Sequence, residues 1–173
     1  MSSLYNEIFK LKTIIRKGWI MRHACDKESG RYESDAEHTF SMALLAYEIM
    51  KRENLNLDEG KVLKLALIHE LCEIDAGDHT PFDKITKEEK YKLERDCMER
   101  LAKDCEMPEL LDLWLEYKHG LTPEGRFVSK MDKLDAILQS KIYSEQAQDN
   151  ALFDEFYEFS KDFIKEFDKY TKK

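Results

Sequence analysis

Three polar features interrupt otherwise apolar stretches of this chain: Glu37-His38, the adjacent pair His69-Glu70, and Asp132. Burying two imidazoles and two carboxylates costs several kcal/mol unless they are paired or share a cation. One divalent metal would satisfy His38, His69, Glu70 and Asp132 together. Imidazole nitrogen and carboxylate oxygen form a borderline-to-hard donor set, suited to zinc, manganese, cobalt, nickel, iron or magnesium, with no thiolate to demand a soft ion. Four protein ligands leave one or two positions for water on a metal that takes five or six. Taken alone, a histidine on an apolar face is usually a core residue bonded to a neighbour, and an aspartate in a helix usually a cap. The combination points elsewhere, because His69 and Glu70 sit in the middle of the run Leu65-Ala66-Leu67-Ile68-His69-Glu70-Leu71.

Helices must position these groups. Leu4, Ile8, Leu11 and Ile15 fall at steps of four and three and predict a first amphipathic helix over residues 3–16. From Gly18 to Ser34 the period fails, which predicts a loop carrying Trp19 and Arg22. Ser34 or Asp35 can cap a helix to about residue 53, with His38, Met42, Leu45 and Ile49 on one face. Asp58 can cap the next, where Val62, Leu65, Ala66, His69 and Glu73 share a face and His69 and Glu73 stand one turn apart. Gly77 and Pro81 interrupt the chain before a charged helix from Lys84 to about Cys105. Pro108 starts a short helix to about Tyr117, and Thr122-Pro123 supplies a cap and first-turn proline for one that carries Asp132. A last helix over roughly 150–170 aligns Phe153, Phe156, Phe163 and Phe167, a stripe suited to a core or a dimer interface. The expectation is an all-α bundle of six or seven helices, a single domain spanning 1–173.

The chain has 173 residues with only three Pro and six Gly, a helix-former's composition and enough length for a core without disulfides. A net charge of −8 argues against a nucleic-acid polymer as partner, since phosphate backbones need a concentrated cationic surface. The Lys84–Glu106 stretch mixes Lys with Glu and lacks interleaved aromatics, so it reads as a solvated helix face. Cys25, Cys72, Cys97 and Cys105 have no CxxC spacing and are expected to be reduced thiols, Cys72 as a small core residue. Met1 to Arg16 alternates apolar and charged residues, unlike a signal peptide or membrane span, so a cytoplasmic protein without a membrane partner is expected.

The ordered motifs Gly18-Trp19, Arg22, Ser34-Asp35-Ala36-Glu37-His38, Ala66-Leu67-Ile68-His69-Glu70, Glu73, Gly77-Asp78 and Phe127-Val128 to Asp132 resemble the HD-domain phosphohydrolase superfamily. The similarity is greatest to its 5′-deoxynucleotidase-like branch and covers roughly residues 10–145. The resemblance implies metal ligation by His38, His69, Glu70 and Asp132, a catalytic role for Glu73, and a substrate-contacting or supporting role for Asp78. It also implies that Trp19 lines the sugar pocket and that Arg22 contacts phosphate, with homodimers common among relatives. Two departures stand out. Glu70 replaces the usual Asp of the pair, adding one methylene, and Gly18 precedes Trp19 where enteric-bacterial members carry Arg, with Arg16 and Lys17 just upstream.

On this reading the chain is a metal-dependent phosphomonoesterase for (deoxy)nucleoside 5′-monophosphates, with Lys133, beside Asp132, joining Arg22 in offsetting phosphate charge. Glu73 either positions and deprotonates a water at the metal or orients His69. Asp78, after Gly77, is otherwise explained by helix termination. His79 and His119 lack partners at ligand spacing and read as surface residues, while His23 lies beside Arg22. Two other classes compete: a catalytically weak nucleotide-binding or regulatory protein, and a hydrolase of another phosphate ester such as an alarmone, an oligonucleotide end or a cyclic nucleotide.

Overall fold

In a computed structural model, described for residues 3–80 and 82–171, the chain is all-helical. Nine α-helices and a terminal 3-10 turn occur among the described residues: α1 (Leu4–Leu11), α2 (Lys17–Met21), α3 (Asp35–Arg52), α4 (Glu59–Ile68), α5 (Glu73–Ala76), α6 (Lys87–Asp104), α7 (Glu109–Lys118), α8 (Pro123–Ala147), α9 (Ala151–Ser160), and the 3-10 segment Lys165–Tyr170. This exceeds the six or seven expected, because short helices form where the periodic pattern is too brief to be read.

The starts of the long helices follow from their caps. Ser34 Oγ accepts from the Glu37 amide at 3.3 Å while Glu37 Oε2 accepts from the Ser34 amide at 2.8 Å, a reciprocal box that fixes where α3 begins and so where His38 points. Thr86 and Glu89 repeat the device on α6. Thr122 caps α8 by accepting from Gly125 N at 3.1 Å, with Pro123 in the first turn. Gly125 is required there: a Cβ would lie 2.8 Å from the Glu116 backbone oxygen, so α7 and α8 approach as closely as only glycine permits.

The 25 residues of α8 form the spine, packing against α3, α4, α7 and α9. Met42 and Ile49 of α3, Leu65 of α4, and Met131, Leu134 and Ile137 of α8 are fully buried between them. A second core joins Leu11, Leu71, Cys72, Met98, Leu101 and Trp114 from α1, the turn after α4, α6 and α7. The polar ligand candidates lie where these helices converge.

Several boundaries differ from the sequence reading. The stretch read as irregular contains α2, so Trp19 stands on a helix. The first helix stops at Leu11, and Ile15 instead makes an isolated antiparallel bridge to Ser34. Residues 69–72 form a turn between α4 and α5, so His69 and Glu73 belong to no continuous helix. The terminal phenylalanine stripe is divided between α9 and the 3-10 segment: Phe167 is buried in the core, whereas Phe163 is exposed. The four cysteines are free, Cys72 buried as expected. Among the described residues, no helix is long and apolar enough to cross a membrane.

Candidate metal centre

His38 comes from the first turn of α3, His69 and Glu70 from the turn closing α4, and Asp132 from the third turn of α8. Their donor atoms converge within 4.8 Å of one another. His38 Nε2 lies 3.2 Å from Asp132 Oδ1 and 3.8 Å from Glu70 Oε1, and His69 Nε2 lies 3.4 Å from Glu70 Oε1. The two Nε2 atoms are 3.4 Å apart.

The other face of each ring explains this orientation. His69 Nδ1 is 2.7 Å from the Ala66 carbonyl, an acceptor only, so that nitrogen carries the proton and Nε2 presents a lone pair. His38 Nδ1 is 2.7 Å from Asp135 Oδ2, which orients the ring in the same sense. In the neutral tautomers two lone pairs and two carboxylates then face one another in a nearly dry space. Such a cluster requires a cation. The residues therefore fit a divalent metal, with Asp135 and the Ala66 carbonyl holding the imidazoles as metal-binding histidines require. Glu70, despite its extra methylene, brings Oε1 into the set.

The electrostatics agree. Burial and Arg16 press the His38 pKa down, but hydrogen bonds to Asp132 and Asp135 outweigh them and carry it to about 10. Burial opposes ionisation of Glu70 and Asp132, yet His69 and Arg16 hold the Glu70 carboxyl low, and Lys133 and His38 do so for Asp132. Arg16, two residues before Gly18, reaches Glu70 with Nη1 at 3.4 Å and Glu33 with Nε at 3.8 Å. Its guanidinium therefore reaches the centre from two residues upstream of Gly18.

The centre opens into a cavity of about 550 Å³ lined by His69, Glu70 and Asp132 on one side and by Trp19, Arg22 and Phe156 on another. Trp19 is buried, donates from Nε1 to Glu33 Oε2 at 2.7 Å, and stacks on Phe156 at 4.7 Å. Arg22 lines the cavity with its charge already engaged: Nε donates to Glu155 at 3.1 Å, Nη1 to the Gly18 carbonyl at 3.0 Å, and the guanidinium lies over Phe82 and Phe156. Lys133 Nζ is 3.1 Å from Asp132 Oδ2. Asp78 does more than end a helix, since its Oδ2 accepts from the Lys17 amide at 2.5 Å and so caps α2, the helix of Trp19.

Glu73 also lines the cavity, 3.7 Å from Lys90 Nζ through Oε1, with Oε2 buried and unpartnered. Burial, then repulsion from Glu70, raises its pKa to about 9 against the pull of Lys90. It does not orient His69, whose Nδ1 is bonded to Ala66. His119 is exposed beside Tyr91, as expected. His79 is not a surface residue: it lines the cavity with both ring nitrogens buried. Asp135 and Arg16 were missed by sequence reading. Asp135 follows Asp132 by one helical turn and so shares its face, a signal that was available; Arg16 carried none, because its reach depends on how α2 docks.

Comparison with known proteins gives this arrangement a family. A model described as HD domain matches residues 8–171. Relatives named 5′-deoxynucleotidase HDDC2 are 37% identical in Dictyostelium discoideum, covering 83% of this chain and 80% of theirs, and 36% identical in Xenopus laevis, covering 86% and 71%. A conserved hypothetical protein from Pyrococcus furiosus superposes with a TM-score of 0.75 at 30% identity, covering 94% of this chain and 88% of that one. A structure titled "Predicted metal-dependent phosphohydrolase", from Magnetospirillum magnetotacticum, gives 0.65 at 32%, covering 79% and 66%. With residues 8–171, nearly its whole length, matched by that model, this chain belongs to the HD-domain family.

Proposed function

We propose that this protein is a metal-dependent phosphomonoesterase that hydrolyses (deoxy)nucleoside 5′-monophosphates to nucleoside and phosphate. The observation that carries this reading is the convergence of four metal-type donors within 4.8 Å, three of them lining a cavity that also holds cations and aromatic rings. The names of the relatives, 5′-deoxynucleotidase among the eukaryotic proteins, support the substrate class.

His38, His69, Glu70 and Asp132 would hold one divalent ion, of the manganese, cobalt, zinc, nickel, iron or magnesium class. When bound, such an ion polarises the phosphate and lowers the pKa of water. The chain's own groups do the rest. Lys133 and Arg22 offset the phosphate charge; Arg22 must first exchange Glu155 for the phosphate oxygens. Glu73 manages the proton that leaves the attacking water and reaches the nucleoside 5′-oxygen as the P–O bond breaks. Trp19 and Phe156 supply the flat wall for the sugar, and Asp78 keeps that wall in place through α2. The four free thiols fit a reducing, cytoplasmic setting, and exposed Phe40, Leu44 and Tyr47 along α3 offer a face for a homodimer.

The test is phosphate release from a panel of deoxynucleoside 5′-monophosphates with manganese or cobalt. Activity should appear with the metal, vanish with chelator, and fall to background in His69→Ala; activity unchanged in that variant refutes the assignment. The Arg22–Glu155 pair favours one competing reading, a nucleotide-binding protein of weak turnover, which would bind the panel tightly yet release phosphate no faster than His69→Ala.

A further inference from the structure

Among the described residues, seven buried side-chain polar atoms lack a hydrogen-bond partner; three of them, the Asp35 carboxylate oxygens and the Thr39 hydroxyl, lie away from the cavity at the metal centre. The other four, Glu73 Oε2, both ring nitrogens of His79 and Trp114 Nε1, belong to residues lining that cavity. Glu73 has a role in the proposed chemistry and Trp114 is fully buried behind Lys118, its ring 5.7 Å from that ammonium. His79 has no such account. An imidazole with both nitrogens buried and unbonded forfeits about 1–3 kcal/mol, which a folded protein rarely concedes without use.

The backbone around His79 is fixed even though its ring is not bonded. Its carbonyl accepts from Lys90 Nζ at 2.9 Å, tying the segment to α6. The preceding Asp78 is bonded to α2, and the following Thr80 amide donates to Asp83 Oδ2 at 2.7 Å. Gly77, at φ 76°, turns the chain into this segment. The ring lines the cavity from this anchored backbone, so a turn about its side-chain torsions would bring a nitrogen to a ligand there.

Ligand chemistry narrows the choice. The phosphate of a nucleotide would be met by Lys133 and Arg22, which present donors only. A neutral imidazole presents one donor and one acceptor, the complement of an uncharged group that is itself both, such as a sugar hydroxyl or a nucleobase edge. We propose that His79 is a specificity-determining residue whose ring hydrogen-bonds the uncharged nucleoside part of the substrate. This rests on the nucleotidase reading above and adds to it the residue that distinguishes a nucleotide from a simple phosphate ester.

The experiment compares wild type, His79→Leu and His79→Asn with the metal-loaded protein. On a deoxynucleoside 5′-monophosphate, His79→Leu should lose about tenfold in kcat/KM, the size of one lost neutral hydrogen bond, with His79→Asn retaining most of it. On phenyl phosphate all three should be equal. Deoxyribose 5-phosphate and a 2′,3′-dideoxynucleoside 5′-monophosphate identify the partner. A loss that persists without the base but disappears without the 3′-hydroxyl assigns the sugar; the converse assigns the base. If the leucine variant changes nucleotide and phenyl phosphate alike, or neither, the proposal is overturned. Should wild type hydrolyse no nucleotide, the nucleotidase reading fails by itself, and calorimetric binding of the deoxynucleotide to wild type and His79→Leu decides this one: equal affinity overturns it, weaker binding by the variant supports it.

Discussion

At the scale of single residues, the centre depends as much on what lies behind the ligands as on the ligands. His38 is useful to a metal only while Asp135 holds its Nδ1–H. Asp135→Asn should therefore weaken divalent-metal affinity by about 10- to 100-fold, measured by competition with a chromophoric chelator, while leaving the helical circular dichroism unchanged. Restoring the usual pair with Glu70→Asp should retract the carboxylate from a cluster built around the longer side chain and change the order of metal preference in the same assay. The protonation states make a further demand. Without metal, His38 (about 10 against 6.5), Glu73 (about 9 against 4.5) and Asp35 (about 8 against 3.8) all sit above their ordinary pKa values, Glu73 and Asp35 through burial and then repulsion from Glu70, His38 in spite of burial through its bonds to Asp132 and Asp135. A raised pKa means that the folded state binds more protons than the unfolded one. The stability these groups contribute is present at low pH and is lost as pH climbs through the folded values. Urea unfolding of the metal-free protein should thus show a lower midpoint at pH 9 than at pH 6, Glu73→Gln should reduce that difference, and manganese should reduce it further by replacing the proton on His38.

At the scale of elements, the caps decide where the ligands point. Ser34→Ala removes the acceptor for the Glu37 amide and should cost about 1 kcal/mol, read as a shift in the urea midpoint. Gly125→Ala should cost more, since its Cβ would meet the Glu116 carbonyl at 2.8 Å and neither helix backbone can yield cheaply. These same caps are why much of the fold was legible beforehand. Ser34, Asp58, Thr122 and Pro123 marked the starts of α3, α4 and α8, and apolar spacing placed His38 and His69 facing inward. The polar pair inside Leu65–Leu71 pointed to the candidate centre, whose donor atoms lie within 4.8 Å of one another. What the sequence concealed were features of short range or of docking. The five residues of α2 are too few for a period to register, and α4 ends at Ile68 without glycine or proline, so the turn through His69 and Glu70 leaves no local signal. Arg16 and His79 acquire their positions only when α2 and residues 77–80 fold against the bundle.

At the scale of the molecule, a single ion would join three segments that are far apart in sequence, α3, the turn after α4, and α8. Binding to the native state alone stabilises it by about 4 kcal/mol when free metal exceeds Kd a thousandfold. Each kcal/mol is worth about 2–4 °C for a chain of this size, so manganese should raise the melting temperature by roughly 10 °C, and His69→Ala should abolish the rise. The carboxylate of Asp78 at the head of α2 has a consequence of another kind. Two of the candidate ligands, His38 and Asp132, stand on the long helices α3 and α8, whereas the wall bearing Trp19 and Arg22 is one helical turn held mainly by side chains: Asp78 on the Lys17 amide, Glu33 on Trp19 and Glu155 on Arg22. These parts of one site belong to different clocks: amide protons in α8 should exchange with deuterium only on global unfolding, and those of residues 17–22 by a local opening that leaves the ion in its seat. Entry and departure of the substrate can then proceed at the rate at which α2 breathes, with no need for the bundle itself to move.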